Sequence, residues 1–286
     1  MCAATNTRVG VIGLGEMGLP MARRLRGAGF FVLGYDVRAD AGRAFAAAGG
    51  ATAESAGDVA SRSDVTIVMV RTPPQAESVV LGEGGVLARA RRGSLLIVMS
   101  TVGVPCMCRL GDAAQRTGLR FLDAPVSGGR ARAEDGTLTI IVGGEAADVE
   151  AARPVLRPMG TQIEHVGGVG AGTTVKMANQ VLLTVSLLAA REMAALTGAA
   201  GLETDKVWDV LRTCTGTTWV VEHWPVARGW VDAYRPGTSL DLLVKDASLA
   251  LEGARDAGLP APMLGLASQL IVGLTKELSA VAGRRS

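Results

Sequence analysis

Three glycines and one aspartate, all within residues 8 to 36, constrain this chain more than any other feature. The stretch "RVGVIGLGEMGLPMARRLRGAGFFVLGYD" passes from a short β-rich run through a glycine turn into a helical pattern, then into a second β-rich run that ends at Asp36. This spacing predicts a βαβ unit. Gly13 permits the tight turn, Gly15 lets the backbone come close to a pyrophosphate, and Gly18 allows the helix to pack closely on the strand. The start of that helix offers N–H groups and the positive end of its dipole to phosphate. A G-x-G-x-x-G pattern is weak alone, but here it follows a strand, opens a helix and has an acidic residue about 20 positions on.

Asp36 then selects among dinucleotides. Its carboxylate can accept from both ribose hydroxyls and would repel the additional phosphate of NADP, so the expected cofactor is NAD. The competing expectation is that Arg38, two residues later, turns outward to hold a 2′-phosphate.

Further β-rich runs at "DVTIVMV", "GSLLIVMS", "LRFLDAP" and "TLTIIVGG" alternate with helix-forming segments, which predicts a doubly wound sheet. Ligands of such sheets lie beyond the carboxyl ends of the strands. Val70 to Thr72, Ser100 to Val102 and the loop after Asp123 are therefore expected to face the cofactor, with Thr101 placed for nicotinamide or its ribose, or else as a helix cap. A methyltransferase can begin with the same glycine turn and acidic residue. The second half of the chain has to separate the two, because hydride transfer requires a proton donor or acceptor and an anchor for substrate.

With 286 residues and 48% hydrophobic composition, the chain is long enough for two cores. A formal net charge of +2, with 20% charged residues, gives no basic field for nucleic acid, so a small-molecule partner is expected. The first strand starts by Val9 and leaves no room for a signal sequence, and the apolar runs are interrupted short of a membrane span. A soluble, cytoplasmic protein is the expectation. Cys2, Cys106, Cys108 and Cys214 form no zinc pattern and read as reduced thiols; no metal site is expected.

"DAPVSGGRARAEDGTL" carries Ser127, Gly128 and Gly129 at a strand's carboxyl end, where exposed N–H groups can grip a carboxylate and Arg130 and Arg132 can add charge. Beyond it, from about Thr173 to Thr197, one long apolar pattern predicts a buried helix acting as a spine between two domains, broken at "TGAAGLETD". Between Glu164 and Arg191 the sole fully charged side chain is Lys176. An amine enclosed by apolar groups has its neutral form favoured, which suits it to exchange protons near neutral pH. Asn179 and Gln180 lie three and four residues on, along the same helix face.

Taken together, "GLGEMG", "DAPVSGG", "GVGAGTTVKMANQ" and "VKDASLALEGARDAGLPAP" resemble, in this order and over essentially the whole chain, the β-hydroxyacid dehydrogenase family. The resemblance implies an α/β fold: an N-terminal Rossmann domain over residues 1–166, then a long interdomain helix and an all-helical C-terminal domain over residues 167–286. It implies Lys176 as general acid/base with Asn179 beside it, Ser127, Gly128 and Gly129 as the substrate-carboxylate site, and the turn Gly13, Leu14, Gly15, Glu16, Met17 and Gly18 on the cofactor phosphates. Asp36, Val70, Arg71, Thr101 and Lys245 complete the implied cofactor set, although Val70 and Arg71 stand where the family often has Leu-Pro. The implied activity is hydride transfer between NAD and a small anionic hydroxy acid, in a homo-oligomer, dimer or tetramer. "TTWVVEHWPVARGWVDAYRPGTSLDLLVKD" is similar to members acting on four-carbon sugar acids such as L-threonate, while the arginines would also suit a hydroxy-phosphonate or -sulfonate. An imine reductase and a non-catalytic dinucleotide-binding module are the remaining alternatives on this scaffold.

Overall fold

The structure, a computed structural model, describes residues 6–282. Cys2 lies outside them. The chain separates into two compact units, divided between Lys176 and Met177.

The first unit is built on a nine-stranded sheet: β1 (Arg8–Ile12), β2 (Phe31–Tyr35), β3 (Ala51–Thr52), β4 (Val65–Val68), β5 (Leu95–Val98), β6 (Arg120–Asp123), β7 (Val126–Ser127), β8 (Leu138–Gly144) and β9 (Gly160–Gly167). The strand order is β3-β2-β1-β4-β5-β6-β8-β7, with β9 also on β8. The first six strands of that order run parallel. β8 then runs antiparallel to both β6 and β7 and parallel to β9. This is the doubly wound Rossmann arrangement, in which successive strands are added toward one edge from β1 to β3 and toward the other from β4 onward, so the order reverses between β1 and β4.

β5 shows why the strands read as unbroken apolar runs. Leu95 and Ile97 belong to the core on one face of the sheet, and Leu96 and Val98 to the core on the other. A parallel sheet covered by helices on both sides leaves no polar face. Burying each of these side chains contributes roughly 1.5–3 kcal/mol. The expected strands at "DVTIVMV", "GSLLIVMS", "LRFLDAP" and "TLTIIVGG" are β4, β5, β6 and β8.

The second unit is all helical. It continues the helix Ala171–Ala199 and adds Thr204–Leu211, Trp219–Glu222, Trp224–Asp232, Ser239–Asp256 and Pro262–Ala282. Its core gathers Leu187, Trp208, Trp224, Leu240, Leu243 and Ile271. Trp208 and Trp224 stack with ring centroids 4.4 Å apart. Trp219 does not join them: it is exposed and stacks on His223 and Trp230.

The long helix differs from its sequence-based reading in exposure. Thr173, Lys176, Gln180, Thr184 and Leu187 are buried, but Leu182 and Leu196 are exposed and nothing in residues 191–199 is fully buried. Apolar composition on every side does not guarantee a cover for every side. Among the described residues this is the one helix long and apolar enough to cross a membrane by length and composition, although Lys176, Asn179 and Gln180 interrupt it.

Candidate functional site

The glycine turn closes at the carboxyl end of β1. Gly13 has φ +94°, and a Cβ there would meet the Met69 carbonyl oxygen at 2.2 Å; a Cβ on Gly18 would meet the Gly13 carbonyl oxygen at 1.8 Å. Both positions therefore exclude any side chain. Gly15 differs, because a Cβ there would find only Arg38, at 3.7 Å. Space is thus open over the turn where a pyrophosphate is expected. No side chain caps the helix Gly18–Gly27 that follows. These observations fit a dinucleotide, with the backbone of Gly13 to Gly18 placed to hold its phosphates.

Asp36, just past β2, is drawn into the same turn. Its Oδ2 accepts from the Leu14 N–H at 2.8 Å, and its Oδ1 from the Arg38 N–H at 2.9 Å. Arg38 Nε also lies 3.3 Å from Oδ1. The guanidinium is turned toward Asp36 rather than away from it. Beyond β4, Val70 donates its N–H to the buried Ser100 hydroxyl at 2.8 Å, which ties the ends of β4 and β5 together. Arg71 follows, exposed, with its N–H held by Gln75 of the Thr72 capping box. Thr101 is half-buried one residue after Ser100.

Ser127 ends the short β7 and is half-buried; Gly128 and Gly129 are exposed, with φ +130° and +67°. The two neighbouring arginines are already engaged, Arg130 with Glu134 at 2.7 Å and Arg132 with the Thr137 carbonyl at 2.8 Å. Both remain largely at the surface.

Asp123, at the end of β6, is a participant that sequence reasoning used only as a landmark. It is fully buried, and its two oxygens accept the N–H groups of Gly170 at 3.0 Å and Thr173 at 2.7 Å. Burial pushes its carboxyl up, and those backbone donors pull it back down. Lys176, three residues beyond Thr173 on the helix so capped, is 7% exposed.

Within the second unit a polar chain links two helices. Asn179 Nδ2 donates to Gln180 Oε1 at 3.0 Å, Gln180 Nε2 to Asp246 Oδ2 at 2.6 Å, and Lys245 Nζ to Asp246 Oδ1 at 2.6 Å. Asp246 and Gln180 are buried. The bond between Gln180 and Asp246 had no sequence signal beyond the two polar residues standing in apolar helices.

A surface cavity of about 760 Å³ lies in the first unit among Pro20, Arg23, Arg24, Phe30, Pro154 and Arg157. Glu134, the partner of Arg130, also lines it, but none of the candidate site residues does. Among the described residues no cluster of three or more His, Cys, Asp or Glu is placed to hold a metal.

A Rossmann unit followed by an all-helical unit, with a glycine turn and an aspartate prepared for a dinucleotide, defines an oxidoreductase that uses NAD(P). Residues 8–167 match the NAD binding domain of 6-phosphogluconate dehydrogenase, and residues 170–284 match the NAD-binding domain of NADP-dependent 3-hydroxyisobutyrate dehydrogenase. The chain belongs to the β-hydroxyacid dehydrogenase family. It is 37% identical to the NAD-dependent L-serine dehydrogenase of Pseudomonas aeruginosa, over 94% of this chain and 93% of that protein. It is 36% identical to the L-threonate dehydrogenase of Cupriavidus necator, over 92% and 89%. Among solved structures, Mycobacterium tuberculosis 3-hydroxyisobutyrate dehydrogenase with L-serine is 35% identical with a TM-score of 0.87, covering 96% of this chain and 95% of that one. The family match removes the methyltransferase reading.

Proposed function

We propose that this protein is an NAD-dependent dehydrogenase of a small β-hydroxy acid of about three to five carbons, with L-threonate and L-serine the first substrates to try. The observation that carries the reading is the burial of Lys176, on the apolar helix whose first turn is fastened to the end of a sheet strand. A bound nicotinamide supplies the two-electron hydride acceptor or donor. Lys176 takes the proton of the substrate hydroxyl during oxidation and returns it to the carbonyl oxygen during reduction. Burial favours its neutral amine, the form needed to accept that proton. Ser127, Gly128 and Gly129 hold the substrate carboxylate, and Asn179 orients the lysine and substrate. On this reading the functional division falls at residues 166/167, so that the whole long helix belongs with the helical domain.

Leu14, Gly15, Glu16, Met17, Val70, Arg71, Thr101 and Lys245 complete the cofactor contacts around Gly13, Gly18 and Asp36. A preference for NAD over NADP is supported by Asp36, whose carboxylate stands beside the glycine turn and holds the Arg38 guanidinium toward itself instead of leaving it turned outward for a 2′-phosphate. Homo-oligomerisation is supported by the exposed apolar residues Leu196, Leu202, Leu259 and Met263.

The test is reduction of NAD and NADP with a panel of hydroxy acids, their phosphonate and sulfonate counterparts, and cyclic amines. Turnover of a carboxylate with NAD is the expected result. Preference for a phosphonate or sulfonate would replace the substrate class. A bound dinucleotide without turnover across the panel would leave only a binding module.

A further inference from the structure

We infer that Asp123 is a positioning residue for Lys176: by gripping the first turn of the long helix at two points, it sets where the lysine side chain stands relative to the sheet. The inference rests on the reading of Lys176 as the proton-exchanging group.

The geometry is specific. A helix begins with N–H groups that have no partner inside it, and a side-chain oxygen from the residue just before the helix usually takes one of them. Here that residue is Gly170, which has no side chain to offer. The acceptor comes instead from 47 and 50 residues earlier in the chain, through Asp123. One oxygen takes the Gly170 N–H and the other takes the Thr173 N–H, so the carboxylate resists both sliding and rotation of the turn. A single-oxygen cap would fix less.

Two glycines make room for this attachment. A Cβ on Gly143 of β8 would lie 2.2 Å from Asp123 Oδ1, and a Cβ on Gly172 would lie 3.0 Å from Oδ2 and 2.5 Å from the Ile141 carbonyl oxygen. The strand end and the helix start therefore meet at backbone distance. Asp123 itself is paired with Val98 on one side and Gly143 on the other, so its main chain is held by two neighbouring strands.

Lys176 begins about 4.5 Å along the axis from Thr173, at 1.5 Å per residue. Helical side chains lean toward the N-terminus, so that of Lys176 leans back over the turn that Asp123 fixes. A shift of that turn moves the amine almost directly. A misplacement of about 1 Å at a reacting group can lower rate on the order of 100-fold.

The experiment compares Asp123→Asn, Lys176→Ala and the double variant. Turnover is counted per NADH-binding site, so only folded enzyme contributes. The isosteric amide has one acceptor oxygen for two N–H donors, so it loses one of the two attachments. Asp123→Asn is expected to lower kcat about 10- to 100-fold, with NADH Kd unchanged and substrate KM altered much less than kcat. In the Lys176→Ala background it should add no further loss, because its effect passes through the lysine. Wild-type kcat in Asp123→Asn, alongside an inactive Lys176→Ala, would overturn the inference and leave the lysine's role standing. Losses that multiply in the double variant would also overturn it, since Asp123 would then act by another route. Retained turnover in Lys176→Ala would remove the lysine's role, and this inference with it. Hydrogen exchange on the unaltered protein gives a further check that needs no variant. The Gly170 and Thr173 amides should exchange slowly, and fast exchange would mean that the attachment is not maintained.

Discussion

Asp36 braces the turn beneath it: its Oδ2 accepts the N–H of Leu14 at 2.8 Å, 22 residues back in the chain. The carboxylate expected to recognise a ribose is thereby also a structural member of the glycine turn. Asp36→Ala should act on both properties. Bonds to a charged acceptor contribute about 1.5–3 kcal/mol, so a lower Tm and a rise in NAD KM of about 10-fold or more are expected. NADP should suffer less. A calorimetric scan together with kcat/KM for both cofactors checks this, and an unchanged NAD/NADP ratio would remove Asp36 from cofactor selection.

Lys176→Ala should reduce kcat by roughly 100- to 10,000-fold, the usual range for a lost general acid or base. NADH titration by fluorescence should give a Kd close to that of the parent protein. Turnover within a few-fold of the parent would exclude the proposed proton exchange.

Gly18→Ala places a Cβ 1.8 Å from the Gly13 carbonyl oxygen. Overpacking of this kind costs about 1–3 kcal/mol, and here it also pushes the phosphate loop apart, so dinucleotide binding should be lost. Gly27→Ala is the matching control. Nothing lies within 4 Å of a Cβ there, and Ala is favoured over Gly in a helix by up to about 1 kcal/mol. Equal effects from the two variants would contradict the packing argument.

The stability difference between the parent protein and Asp123→Asn should depend on pH in a defined sense. Burial raises the Asp123 carboxyl above its ordinary 3.8, against the pull of its backbone donors. A group raised on folding contributes stability that is complete below its unfolded value and is lost as pH rises through its folded value. The amide variant carries no such dependence. Its Tm relative to the parent should therefore climb as pH rises from about 4, and then level off once the buried carboxyl has ionised. A relative Tm that falls over the same interval would reverse the sign of the burial effect.

Cys106 is buried, and its thiol is pushed up to about 11, first by burial and then by the nearby charge of Glu77. Cys108 is raised too, chiefly by burial, whereas Cys214 is exposed. At pH 8 a thiol reagent should label Cys214 quickly and Cys106 only on unfolding. Peptide mapping distinguishes the sites, and rapid labelling of Cys106 in the folded protein would contradict its burial.

The parts legible in the sequence are those whose causes are local. The glycine turn and Asp36 fall within 29 residues, and each glycine has a steric reason readable from its spacing. Lys176 drew attention as the lone charge in an apolar run. Asp123 did not, because its partners lie 47 and 50 residues away and its neighbours resemble any strand end. Gln180 and Asp246, 66 residues apart, were hidden for the same reason. The exposure of the long helix was misread because composition reports how apolar a surface is and says nothing about what lies against it. β3 and β7, at two residues each, are too short to show a period.

Asp123 and Ser127 both pair with β8, opposite Gly143 and Thr139, with only Ala124, Pro125 and Val126 between them. The aspartate inferred to position the lysine and the first residue of the segment proposed for substrate thus share one rail, while Gly129–Asp135 forms a short helix between β7 and β8, with Ala133 buried in the core. On the proposed reading, exchanging the charges of the exposed Arg130 and Arg132, with Gly128, Gly129 and the buried Ala133 kept, would retune which acids enter while leaving the amine where it stands.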